Sequence, residues 1–150
     1  MIDTHTHLYL PEFDADGREQ AVDRAVEAGV EMMIFPNVNV GTIAAMKSLH
    51  AARPELTRMA MGLHPTELEG DWRRSLQTVL DELEKGGYVG VGEIGMDLYW
   101  DRSQEREQRE VFIAQLEAAK RLGLPVIIHC REALPQTLEC IREAGAGEER

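Results

Sequence analysis

Short apolar runs alternate along this chain with longer stretches in which apolar positions recur every three or four residues, and the two periods predict different elements. The runs at 1–5, "VEMMIF" (30–35), "RMAMG" (58–62), "YVGVG" (88–92) and "PVIIH" (125–129) read as β-strands. Ala21, Val22, Ala25 and Val26 form the stripe of a first helix, opened by Asp14 or Asp16 and ended at Gly29. Ile43, Met46 and Leu49 mark a second helix, and Trp72, Leu76, Val79, Leu80 and Leu83 a third. The longest carries Phe112, Leu116 and Ala119, with Asp101 or Ser103 at its start and Gly123 followed by Pro125 at its end. Leu134, Leu138 and Ile141 mark a last helix. Strict alternation of strand and helix demands a parallel sheet, because each helix returns the chain to the same end. All five strand ends then share one edge.

Composition adds limits. A chain of 150 residues with 43% hydrophobic and 29% charged residues has the balance of a single globular domain, and no linker, low-complexity tract or second domain interrupts it. The recurrence of about 30 residues is the βα unit itself, not a solenoid repeat. No apolar run reaches the roughly 20 residues that span a bilayer, and the N-terminus lacks the basic-then-apolar order of a signal peptide. The expectation is a cytoplasmic protein with no membrane partner, in which Cys130 and Cys140 are reduced thiols. The formal net charge of -11 argues against broad adhesion to nucleic acid, so a polyanionic substrate would need some other attraction.

That attraction has a candidate at the strand ends. In "MIDTHTH" the residues Asp3, His5 and His7 stand at every second position, which in a regular strand puts all three on one face. His5 and His7 end strand one, His64 follows strand three, Glu93 follows strand four, and His129 and Arg131 follow strand five. The C-terminal edge of a parallel sheet is where α/β proteins place their sites. Imidazole and carboxylate suit a borderline or hard divalent ion, and the two oxygens of Glu93 could bridge a second. Two such ions activate a water and stabilise displacement at phosphorus, and their charge draws phosphate to an acidic protein. Each residue also has a plainer reading: Asp3 as a partner orienting a ligand histidine, His64 as a turn residue before Pro65, Glu93 as a solvent-facing side chain, Asp97 as a loop cap. Their shared placement favours the metal site. His50, on a helix beside Ala51 and Ala52, receives no functional role.

"DTHTHLYLPEF", "GLHP", "GEIGMDLYW" and "PVIIHCRE", in this order and at these separations, resemble the TatD family of metal-dependent deoxyribonucleases, within the amidohydrolase-like superfamily of (β/α)8 barrels. The resemblance implies hydrolysis of DNA phosphodiesters, often from the 3′ end, with two divalent ions, Zn, Mn, Mg or Fe. By the same resemblance His5 and His7 are the first metal pair, Glu93 the bridging catalytic carboxylate and His129 a ligand of the second ion. Arg131 matches a position suited to gripping phosphate, and His64 and Asp97 match positions lining the site for substrate. Tyr9 stands where aspartate is frequent, Thr66 where a second histidine often follows, and Glu132 where aspartate often follows the arginine.

The resemblance also implies a further histidine ligand and a metal-binding aspartate beyond strand five, and neither occurs before "GAGEER". Five units occupy these 150 residues, whereas a closed eight-unit barrel needs roughly 250. The expected fold is therefore α/β, a partial (β/α)8 TIM-type barrel formed by the N-terminal portion of the hydrolase, with most nuclease activity missing from the isolated chain. A complete five-strand doubly wound sheet is the structural alternative; it would separate His5 from His129, and no glycine-rich phosphate loop follows strand one. Two functional alternatives stay open: a non-catalytic metal-binding protein that self-associates as a homo-oligomer through exposed sheet edges, and an amidohydrolase acting on a cyclic amide.

Overall fold

A computed structural model describes residues 1–145, so the end of "GAGEER" lies outside the described residues. Five strands form one parallel sheet: β1 (Ile2–Asp3), β2 (Met32–Pro36), β3 (Thr57–Met61), β4 (Gly90–Asp97) and β5 (Val126–Arg131). They follow one another in chain order, each hydrogen-bonded to the next. A doubly wound sheet would show a reversal, and none is present among the described residues. In a flat sheet β1 and β5 would lie roughly 19 Å apart. Yet His5, just after β1, and His129, in β5, both reach Glu93 in β4. The sheet is therefore curled, as a half-barrel with its helices outside.

The helices are α1 (Ala15–Glu27), α2 (Ile43–Ala52), α3 (Trp72–Lys85), α4 (Glu105–Leu122) and α5 (Leu134–Glu143). Asp14, not Asp16, caps α1: its carboxylate accepts the Gly17 N–H at 2.6 Å. Neither Asp101 nor Ser103 caps α4, since Asp101 instead accepts the Ser103 N–H inside the preceding turn. Gly123 ends α4 with φ of 67°, the left-handed position foreseen for it. Val111, Phe112, Leu116 and Ala119 of α4 join Phe35, Met59, Met61, Val91, Ile94 and Met96 of the sheet in one buried core. No helix among the described residues is long and apolar enough to cross a membrane.

Two strands depart from the expected register, and both carry site residues. Pairing of Asp3 with Met33 sets β1 against β2, and in that register the His5 amide would donate to the Ile34 carbonyl. The Thr6 amide does so instead, at 3.2 Å, while the His5 N–H turns to the Asp3 carboxylate at 3.1 Å. One extra residue has entered, and a one-residue slip exchanges the faces of a strand. His5 and His7 thus lie on the face opposite Asp3, which corrects the expectation that all three share one face and that the strand runs to His5. In β4, Val91 pairs with Val126 but Ile94 with Ile128, so Gly92 and Glu93 together oppose Ile127. This bulge turns Ile94 and Met96 to the core and leaves Asp97 paired beside Arg131 on the inner face. Glu93 therefore sits within β4, not after a strand ending at Gly92.

An ion-pair cluster ties α2 to α3 on the outer side. The Glu82 carboxylate meets Lys47 at 2.7 Å, Lys85 at 2.6 Å and the Tyr88 hydroxyl at 2.7 Å. Hydrogen bonds from Lys47 and then Lys85 outweigh burial and hold its pKa down to about 2. A depressed carboxyl pKa stabilises the fold fully above the unfolded value of 4.5 and progressively less as the pH falls toward 2. Glu82→Gln should therefore lower the melting temperature at pH 7, with the deficit shrinking steadily below pH 4.5 in thermal melts. A deficit independent of pH would show that the cluster does not keep this carboxylate ionised.

Candidate metal centre

Glu93 is the hub of the inner face. It is only 6% exposed, yet it meets no lysine or arginine among the described residues; its partners are histidines. One oxygen, Oε2, lies 3.0 Å from His5 Nε2 and 3.3 Å from His7 Nε2. The other, Oε1, lies 3.2 Å from His129 Nδ1 and 3.8 Å from His64 Nε2. Two donor sets result, His5 with His7 and Glu93, and His64 with Glu93 and His129, each with ligand atoms within 4.8 Å of one another. Donors roughly 2.1 Å from one tetrahedral ion stand roughly 3.4 Å apart, close to the spacings in the first set.

Proton counting shows why a cation fits. Tyr9 is fully buried, and its hydroxyl donates to the Pro36 carbonyl, which can only accept. The Tyr9 oxygen is thus left to accept from His7 Nδ1, 3.0 Å away. In the neutral ring that puts the proton on Nδ1 and a lone pair on Nε2. This lone pair faces the Glu93 carboxylate oxygen at 3.3 Å, so two acceptors meet with no proton of their own between them, and His5 Nε2 lies 3.1 Å away. A proton or a metal ion resolves the conflict. With protons in that role, burial would raise the Glu93 pKa, but hydrogen bonds to His129 and His7 and the charges of His64 and His5 outweigh it and hold the carboxyl well below the usual range.

The second group is organised by Asp97, the last residue of β4. Its Oδ2 lies 2.8 Å from His129 Nε2, and its Oδ1 accepts the Tyr99 N–H at 3.1 Å. His129 is thus gripped at both nitrogens, and its pKa is raised, first by the bond to Glu93 and then, against burial, by Asp97. A carboxylate on the far nitrogen is how proteins commonly orient a ligand histidine. His64 differs. The Thr66 N–H donates to its Nδ1 at 3.2 Å, so the neutral ring carries its proton on Nε2, facing Glu93. Burial pushes its pKa down to about 4, against the pull of Glu93, so at neutral pH it is an uncharged donor aimed into the site.

Arg131, at the end of β5, is not in either donor set; its guanidinium stacks 3.8 Å from the Tyr99 ring centre, at the rim. His50 bonds the Thr57 hydroxyl at 2.8 Å, away from these groups. Several supporting residues escaped the sequence reading. Gln108 of α4 bonds both the N–H and the carbonyl of Asp97 at 2.8 Å, and Gln115 holds Leu63, beside His64, in the same way at 2.7 and 3.2 Å. Asn37 N–H donates to Ala60 and Gly92 at 3.0 Å, and its carbonyl accepts the Glu93 N–H at 3.1 Å. Two glutamines seven apart on the apolar face of a helix were the available signal for the first pair. Asn37 follows strand two, the one strand end to which no chemistry had been assigned.

A sequence model described as TatD related DNase matches residues 2–149. The chain is 39% identical over 133 residues to the uncharacterized metal-dependent hydrolase YjjV of Escherichia coli, covering 87% of this chain and 51% of that protein. It is 34% identical over 134 residues to the 3'-5' ssDNA/RNA exonuclease TatD of Pantoea ananatis, covering 89% and 51%. It is 30% identical over 158 residues to human deoxyribonuclease TATDN3, covering 97% and 57%. The crystal structure of E. coli YjjV superposes with a TM-score of 0.86 at 35% identity over 96% of this chain and 56% of that one. A TatD family hydrolase from Entamoeba histolytica shares the fold, with a TM-score of 0.74 at 18% identity over 97% and 54%. The chain spans about half the length of the curated relatives it matches. The curled parallel sheet, the order of its strands and the match along nearly the whole chain agree: this chain belongs to the family of TatD related DNases.

Proposed function

We propose that this chain supplies the larger part of the metal site of a hydrolase that cleaves DNA phosphodiesters from the 3′ end. The observation that carries the reading is Glu93, whose two oxygens each face a different group of histidines. His5 and His7 would hold one divalent ion with Glu93, and His129 would hold a second through the same carboxylate. Zn, Mn, Mg and Fe all suit this mixed nitrogen and oxygen set. Bound ions supply Lewis acidity, which activates water and neutralises charge at phosphorus.

The chain's own residues do the rest. Tyr9 fixes the proton of His7 on Nδ1 and leaves Nε2 free to ligate. Asp97 orients His129, and the backbone of Asp97 is in turn held by Gln108. His64 presents a neutral N–H to a phosphate oxygen, and Arg131 offers a planar fork to the next phosphate. The open edges at β1 and β5 are where further strands would continue the barrel, and Ile128 on β5 is exposed there.

The test is made on the polypeptide encoded by the whole reading frame that carries these residues. It should release mononucleotides from the 3′ end of DNA only with divalent metal and leave a cyclic amide such as dihydrouracil intact. Arg131→Lys should raise KM for DNA about tenfold with metal affinity unchanged, because lysine cannot make the paired contact. Hydrolysis of the cyclic amide without DNA cleavage would overturn the proposal.

A further inference from the structure

The loop after β4 carries a feature that the metal chemistry does not use. Trp100 is 76% exposed, an unusual degree for the largest apolar side chain, and it stands edge-on to Tyr99 with ring centres 4.7 Å apart. Arg131 covers the Tyr99 face at 3.8 Å and reaches to 5.5 Å from Trp100. The loop is tied to the site, since the Tyr99 N–H donates to the Asp97 carboxylate that also bonds His129. Beside it lies a cavity of about 290 Å³, walled by Pro65 and Thr66 on one side, Trp100 and Asp101 on the other, and Asp97 and Gln108. These walls come from the loops after β3 and β4, the end of β4 and the start of α4.

We infer that Trp100 is a stacking platform for one nucleobase of a single-stranded substrate. Arg131 beside it takes the adjoining phosphate, and the strand runs on toward Glu93. The inference rests on the nuclease reading above and adds a base-binding subsite to it. An aromatic ring flanked by a guanidinium suits single strands of any sequence, because every base has a π-face while a paired base presents only its edge. Acidic groups line the cavity, Asp101 and Glu69 among them, and would accept from the N–H groups of a base while rejecting phosphate. The phosphate is thereby directed to Arg131 and the metal side.

The experiment uses the 150-residue chain with saturating Mg²⁺ and two probes, a deoxythymidine decamer and an abasic strand of equal length. The chain has two tryptophans, and Trp72 is buried, so quenching of emission on binding reports Trp100. The thymidine strand should quench and bind; the abasic strand should bind more weakly without quenching. Trp100→Ala should weaken the thymidine strand about fivefold to 100-fold, as loss of one stacked base does, and leave the abasic strand unaffected. Trp100→Phe should keep most of the affinity. Equal binding of the two probes, or no loss in Trp100→Ala, would overturn the platform while leaving the nuclease reading intact. Failure of both probes to bind would overturn the platform, whereas the nuclease reading stands or falls on cleavage by the polypeptide of the whole reading frame.

Discussion

Replacing Glu93 by glutamine should abolish the metal binding we propose at both histidine groups, whereas His5→Ala should abolish it only at the group of His5 and His7. Glutamine keeps the size of the side chain but loses the charge, and its amide offers only one oxygen where the carboxylate offers two. Each oxygen of Glu93 faces a separate histidine group, so a single substitution acts on both. Calorimetry with Zn²⁺ or Mn²⁺ at pH 7.5 reads the result, and the loss should be at least about 100-fold, beyond what removing a supporting partner costs. A Glu93→Gln chain that still takes up one ion would show that the two groups do not share this carboxylate. Protons compete for the same nitrogens, so affinity in the unaltered chain should fall as the pH is lowered.

Gly95→Ala should be the most destabilising single-methyl change in the sheet. Gly95 pairs with His129 at φ of 145°, a conformation L side chains rarely adopt, and an added Cβ would run into the His129 carbonyl. The strained angle and the clash together cost roughly 3 kcal/mol or more. For a chain of this size that lowers the melting temperature by roughly 6 to 12 °C, measurable by circular dichroism. Because β5 must move to relieve the clash, metal affinity should fall as well. A melting temperature within about 2 °C of the parent would mean that the two strands are not so closely apposed in solution.

Much of the site was readable before the fold was known, for a chemical reason. Histidine and glutamate at the end of an apolar strand are out of place in a core, and four such places at the spacing of the βα unit gave the same edge of one sheet. His5, His7, Glu93 and His129 stand out this way, and the structure brings their ring nitrogens and oxygens together. His64 and Asp97 stand out as well, but not their bonding partners: Thr66 sets the proton of His64, and His129 takes one oxygen of Asp97. Tyr9 was noted only as a departure from the family pattern. Its contact with Pro36 joins residues 27 apart, which no local pattern contains.

The sequence by itself determined the alternation of strands and helices, the parallel sheet and the identity of the polar residues at its edge, because these follow from periodicity and from the chemistry of each side chain. Only the tertiary structure decided which face those residues occupy. A strand's two faces are exchanged by one extra residue, and whether that residue enters depends on hydrogen bonds to the neighbouring strand, not on the strand's own sequence. In "MIDTHTH" the insertion before Thr6 turns His5 and His7 inward, away from the side of Asp3. In "GVGEIGMD" the bulge at Gly92 and Glu93 sends Ile94 and Met96 to the core and Asp97 to the side of the histidines. Those two slips, set by β2 and β5, convert a row of polar strand ends into a single centre.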